Sequence, residues 1–212
     1  MNKNTTILLL VLSIAFACTK ETASPPPPPL PPDNIIHTDL NPNLEVCPID
    51  SLVYIFPCWS LLPSPTYGNK QDEVDVNNDG VADFKIEYRN WYEHFSNSSP
   101  CANYHTRLTI SSKSQSGGII NSINNQIGAN SFKVDETISP IDNFVTEAHI
   151  YQEFPYSYYG SFGGHGFIGV KLSDGSVGWI EIKHDRAQYT CEVVGFAVNT
   201  TIGNLIKAGQ TN

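Results

Sequence analysis

Asp83-Phe84-Lys85-Ile86-Glu87-Tyr88-Arg89-Asn90-Trp91 alternates apolar and charged residues through its centre. Successive side chains of a strand point to opposite faces, so Phe84, Ile86 and Tyr88 share one face and Lys85, Glu87 and Arg89 the other. The stretch predicts a strand with one face on a core and one in water. The same period recurs at 107–112, where Leu108 and Ile110 point inward. Residues 144–154 read as a further strand. Residues 166–172 and 177–183 flank Ser173-Asp174-Gly175-Ser176, a hairpin turn in which glycine supplies a positive φ. Residues 189–198 read as a last long strand, and 52–56 as a short one. No run of about 12 residues carries a strong 3.6-residue period, and no internal repeat of about 20 to 50 residues is visible. The expectation is an all-β chain, an antiparallel β-sandwich of jelly-roll-like form.

The composition agrees. Of 212 residues, 40% are hydrophobic and 16% charged, enough apolar material for a core. The 15 Gly and 15 Pro favour strands and turns over a helical bundle. With 12 Lys+Arg against 21 Asp+Glu, the net charge of −9 repels phosphate backbones, so no nucleic-acid partner is expected.

The first residues read as an address. Residues 1–17 form an export signal: Lys3 gives a positive start, and the apolar run 7–17 falls short of the roughly 20 residues that span a bilayer. It ends in Ala15-Phe16-Ala17-Cys18, which resembles a bacterial lipobox. That resemblance implies cleavage before Cys18 and diacylation of its thiol. The rival is an ordinary secretory signal in which Cys18 is incidental. Thr19-Lys20-Glu21 resembles, over a short span, an export tag for the cell surface, and leaves the choice of outer-membrane face open. Lipid, not basic attraction, would then hold this acidic chain to a membrane. Next, Ser24-Pro25-Pro26-Pro27-Pro28-Pro29-Leu30-Pro31-Pro32 reads as a polyproline II rod. At about 3.1 Å per residue it spans roughly 25 to 30 Å. Residues 18–38 are assigned to the lipidated cysteine and linker, and 39–212 to one sandwich domain.

Four further cysteines, Cys47, Cys58, Cys101 and Cys191, make an even number in an exported chain, which favours two disulfides. The preferred pairing is Cys47–Cys58 and Cys101–Cys191, with free thiols or a zinc site as rivals. No Cys-x-x-Cys spacing supports zinc.

One motif carries chemistry. Asp75-Val76-Asn77-Asn78-Asp79-Gly80-Val81-Ala82-Asp83 fits D-x-N-x-D-G-x-x-D. Hard Ca²⁺ takes six to eight oxygens, and alternate positions present Asp75, Asn77 and Asp79 inward. Gly80 permits the turn, Val81 offers its carbonyl, and Asp83 fills the ninth position. The twelfth position, a bidentate Glu in an EF-hand, is Ile86 here, and a strand follows in place of a helix. The loop lacks the second copy of a dockerin. It is closer to the strand-flanking calcium loops of extracellular β-proteins, with Asp72, Glu73 or a distant carboxylate completing the shell. The rival is an empty Asn/Asp-rich turn.

With this loop, Phe167-Ile168-Gly169-Val170-Lys171, Gly178-Trp179-Ile180-Glu181-Ile182, Val194-Gly195-Phe196-Ala197-Val198-Asn199 and Ala208-Gly209-Gln210 together resemble a group of exported bacterial proteins. These carry a D-x-N-x-D-G-x-x-D-F loop, a GWI strand and an A-G-Q-like tail. The resemblance is scattered over about residues 72–210. It implies a β-sandwich and an exported or anchored life, with Ca²⁺ ligation at Asp75, Asn77, Asp79 and Asp83, and no particular activity.

Residues 154–165 are rich in aromatics and glycine, and Tyr156, Tyr158, Tyr159, Phe162 and His165 form a candidate ligand loop, since aromatic faces stack on sugar rings. The bland alternative folds these rings back on the sandwich. The histidines, His37, His94, His105, His149, His165 and His184, are scattered, and none is singled out as a metal ligand. Glu147, Glu153, Asp174 and Glu181 are carboxylates that a glycoside hydrolase would need in pairs. No nucleophile elbow, Walker A or G-x-G-x-x-G occurs. The sequence therefore points to a non-enzymatic, lipid-anchored cell-envelope protein, calcium-stabilised and structural or adhesive, with a glycan or an envelope protein as partner. The alternative is a surface carbohydrate-active hydrolase.

Overall fold

The computed structural model describes residues 32–46, 69–94, 102–121, 128–154, 157–159, 164–185 and 190–212. The segments 1–31, 47–68, 95–101, 122–127, 155–156, 160–163 and 186–189 lie outside it. The chain forms β1 (Ile35–Glu45), β2 (Asn69–Val74), β3 (Phe84–His94), β4 (Ala102–Ser112), β5 (Gly118–Ile120), β6 (Ser131–Phe132) and β7 (Thr137–Ile138). It continues with β8 (Phe144–Val145), β9 (Glu147–Phe154), β10 (Ser157–Tyr159), β11 (His165–Lys171), β12 (Val177–Asp185), β13 (Thr190–Asn199) and β14 (Ile206–Lys207). Among the described residues there is no helix.

Twelve of the strands form two open antiparallel sheets. The larger runs β1-β13-β12-β11-β5-β8, with β6 also paired to β11; the smaller runs β10-β9-β4-β3-β2. Phe84, Ile86 and Tyr88 of β3 are buried, as their alternation predicts, beside Leu108 and Ile110 of β4 and Ala148 and Ile150 of β9. They meet Ile168 and Val170 of β11, Ile180 and Ile182 of β12, and Val193, Phe196 and Val198 of β13 in one core between the sheets. The architecture is the expected β-sandwich.

The larger sheet is also covered on its other face. Phe167, Val177, Trp179 and Ala197 pack there with Ile138 and Ile206, which pair across a small β7–β14 ribbon. This second core explains why β11 and β12 show no alternation: an apolar run is the signature of a strand buried on both faces. It also fixes Gly178, where a Cβ would fall 2.2 Å from the carbonyl oxygen of Ala197.

Two strand expectations change. Residues 144–154 are two strands, because the chain crosses between sheets at Thr146, whose carbonyl accepts the Ser112 amide at 2.8 Å. β8 pairs β5 in one sheet, and β9 pairs β4 in the other. Residues 35–38, read as linker, already belong to β1, which pairs Ile35 with Asn199 of β13. Segment 52–56 lies outside the described residues.

Candidate functional site

The acidic motif is the connection between β2 and β3. Val74 and Phe84 are registered partners, and the Asp83 amide donates to the Val74 carbonyl at 2.9 Å, so the loop closes on itself at its base. Asn78 and Gly80 take φ of 58° and 88°, the left-handed turn that glycine and asparagine tolerate. The side-chain oxygens turn inward onto the loop's own amides. Asp75 Oδ1 accepts Asp79 N at 3.2 Å, and its Oδ2 accepts Gly80 N at 2.7 Å. Asn77 Oδ1 accepts the same Asp79 amide at 3.1 Å, and Asp79 Oδ1 accepts Val81 N at 2.8 Å. Asp83 Oδ2 accepts Val76 N at 2.9 Å. Asn78 Nδ2 donates to Thr38 Oγ1 at 2.9 Å, pinning the loop to β1 of the opposite sheet.

Burial and the nearby Asp75 and Asp79 carboxylates raise the Asp83 pKa above its usual value, partly offset by the Val76 and Asn77 amides. No basic side chain is among the groups that act on it. The donor set fits a hard cation in kind, being all oxygen, and each carboxylate oxygen that takes one N–H keeps acceptor capacity. It does not yet fit in convergence: among the described residues, no three His, Cys, Asp or Glu side chains form a group that could hold a metal ion. Of the two upstream carboxylates, Glu73 is held by Lys113 at 2.6 Å. Asp72 has one buried oxygen, Oδ2, with no hydrogen-bond partner in the structure.

The candidate ligand loop is partly resolved into strand. Tyr158 and Tyr159 lie in β10, paired to Glu153 and Gln152 of β9, while Tyr156 and Phe162 lie outside the described residues. His165 opens β11, and its Nε2 stands 2.5 Å from Glu181 Oε1. Its ring is 6.2 Å from that of Phe167, which sits edge-on to Trp179 at 5.1 Å. Cys191 is buried on β13; Cys18, Cys47, Cys58 and Cys101 lie outside the described residues.

The carboxylates considered for hydrolysis do not pair along their strands. Asp174 caps the β11–β12 turn, its Oδ1 accepting Ser176 N at 2.8 Å. Glu181 is four residues beyond the start of β12, about 13 Å along a strand. Glu147 and Glu153 are separated by six residues of β9, about 20 Å. Paired carboxylates that cleave glycosides stand about 5 to 9.5 Å apart.

One feature escaped the sequence reading, a clamp on the chain's entry: Asn199, fully buried, donates to Asp33 Oδ1 at 2.8 Å and to the Leu205 carbonyl at 3.0 Å. Asn204 donates to the same Asp33 oxygen at 2.8 Å, and these bonds hold the Asp33 carboxyl below its usual pKa. On the outer face of the smaller sheet Glu87 joins Lys85 and Arg89, each at 2.8 Å, three residues that the alternation of β3 assigns to that face.

No protein-family model, curated protein or solved structure matches this chain.

Proposed function

We propose that this chain is a lipid-anchored cell-envelope protein, held to the outer membrane through Cys18, whose β-sandwich is stiffened by Ca²⁺ and serves a structural or adhesive, glycan-binding role. The observation that carries the reading is the acidic loop: the Asp75 and Asp79 charges raise the Asp83 pKa, and no basic side chain acts on Asp83. Such carboxylates repel until a cation neutralises them, and the ion would draw them together. Asp75, Asn77, Asp79 and Asp83, with the Val81 carbonyl, would hold the ion, which supplies that neutralisation when bound. The closed base of the loop and the Asn78–Thr38 bond would pass the stiffening to β3 and β1. Cys47–Cys58 and Cys101–Cys191 would add two staples.

The hydrolase alternative draws no support from Glu147, Glu153, Asp174 and Glu181, whose spacing along β9 and β12 exceeds that of a catalytic pair. The membrane part of the reading is tested by fractionation of cells carrying Cys18→Ala. Release of the protein into the soluble fraction is expected; a protein that stays with the membrane contradicts lipid anchoring.

A further inference from the structure

Four connections meet at one end of the sandwich. Val177 pairs with Lys171 of β11 and with Asn199 of β13, and Asn199 pairs with Ile35 of β1. The 172–176 turn, the 200–205 turn and the chain's entry therefore lie side by side. The Lys171 ammonium reaches the Pro140 carbonyl at 3.4 Å, which brings the 139–142 turn to the same end. The acidic loop belongs there too. Its Asp83 carbonyl accepts the Lys113 amide at 2.8 Å, and a Cβ on Gly117 would fall 2.5 Å from Ser112 Oγ and 2.9 Å from the Lys171 carbonyl oxygen. Three of these connections expose large apolar side chains: Val81 (68%) on the acidic loop, Ile141 (91%) beside Pro140, and Ile202 (66%) and Leu205 (48%) on the 200–205 turn. Ile202 also abuts the 172–176 turn, its Cγ2 lying 3.8 Å from where a Cβ on Gly175 would stand. Of the exposed large apolar residues described, Val134 alone lies elsewhere, next to Gly209 and the Phe167 ring.

The chain arrives from residues 1–31 at this same end. Thr201 Oγ1 donates to the Pro32 carbonyl at 3.0 Å, and the Thr200 amide to the Asn34 carbonyl at 2.9 Å, both from the turn that bears Ile202. Only residues 19–31 separate Pro32 from Cys18. We propose that this end of the sandwich rests on the bilayer that holds the Cys18 anchor, with Val81, Ile141, Ile202 and Leu205 entering the lipid surface. A tether makes the contact intramolecular, so a few apolar side chains suffice where they would not hold a free protein. The polyproline rod sets an upper limit on the distance from the anchor and no lower one, because residues 19–23 contain no proline to hold it upright. Protein partners prefer one contiguous apolar centre; apolar points on separate turns suit a fluid surface that each enters by itself. Asp75, Asp79 and Asp83 stand at this end and would repel anionic head groups, so the contact is apolar and is tested on a zwitterionic lipid.

The mature lipoprotein is reconstituted in a supported phosphatidylcholine bilayer. Neutron reflectometry then reads the water layer between head groups and protein, for the parent and for Ile202→Ser/Leu205→Ser. The parent is expected to show no water layer, and the variant one of about 10 Å or more, within the reach of the rod. A water layer under the parent, or unchanged contact in the variant, overturns the proposal. So does a parent that is dimeric in detergent micelles beside a monomeric variant, which would assign the patch to a second copy. Should the variant not fold, Val81→Ser/Ile141→Ser must open the water layer, and its failure to do so overturns the proposal equally. The inference rests on the lipid anchor of the proposed function, and the two fail distinguishably. An acylated chain that stands off the bilayer overturns the contact alone; a mature chain with no acyl mass on Cys18 overturns the anchor and the contact with it.

Discussion

Asp83 Oδ2 accepts the Val76 amide at 2.9 Å, so the last carboxylate of the acidic loop reaches back to the residue that follows its first. The bond gives Asp83 two opposed tasks. It braces the loop, and it sets a charge beside two others. Its folded pKa is raised, so between the ordinary value of 3.8 and the folded one the native state holds a proton that the unfolded chain has released. Stability therefore falls as pH rises through that window.

Asp83→Asn should keep the brace, because the amide oxygen still accepts from Val76, and remove the charge. In EDTA at pH 7 urea unfolding should find the variant as stable as the parent or more so, within about 1 kcal/mol. A loss above about 2 kcal/mol would mean that ionised Asp83 is itself a stabilising group.

Glu87 behaves in the opposite sense. The bond from Lys85, outweighing the cost of burial, lowers its pKa from 4.5. Its contribution is present above the unfolded value and lost as pH falls through the folded one. Glu87→Gln should cost about 0.5 kcal/mol at pH 7, as exposed pairs do, and nothing at pH low enough to protonate the parent. Urea titrations at the two pH values would separate these outcomes.

Asn199→Ala removes the side chain that joins Asp33, Leu205 and the Thr201 amide, which donates to Asn199 Oδ1 at 3.0 Å. Asp33 and Leu205 are exposed and keep water as a partner, so the loss should be about 1 kcal/mol, that of ordinary hydrogen bonds. Amide exchange at Asn34 and Thr201 should speed up with it. A neutral substitution would show that the clamp contributes nothing to holding β1 in place.

Two glycines of the larger sheet, Gly178 and Gly169, should respond differently to alanine. At Gly178 the new Cβ meets a backbone oxygen at 2.2 Å; at Gly169 it meets the end of the Ile120 side chain at 2.6 Å. A side chain can turn aside and a carbonyl in a strand pair cannot. Gly178→Ala should therefore lower stability by about 3 kcal/mol or more, and Gly169→Ala by less. Equal melting temperatures for the two would contradict the close approach of β12 and β13.

Much of this was open to reading in the chain itself, for a physical reason. A strand with one wet face writes its period into the sequence, and β3 and β4 do so through Phe84, Ile86, Tyr88, Leu108 and Ile110. The hairpin turn at Asp174 and the left-handed Gly80 are equally local. β1 is not: its partner β13 lies roughly 150 residues away, and His37, Asp39 and Asn41 alternate no more clearly than a linker would. The change of sheet at Thr146 leaves no mark in an apolar pattern that runs on through it.

The central claim is that residues 75–83 hold calcium, and the most direct measurement is thermal unfolding of the mature chain in about 10 mM Ca²⁺ and in EDTA, beside Asp75→Ala/Asp79→Ala. With the 10⁻⁴ to 10⁻³ M affinity typical of extracellular loops, saturation contributes about 1.4 to 2.7 kcal/mol, a rise of about 3 to 10 °C in a domain of this size. The account predicts that rise in the parent and its loss in the double variant. Superimposable curves in Ca²⁺ and EDTA for the parent would contradict it and leave the loop a turn closed by its own amides.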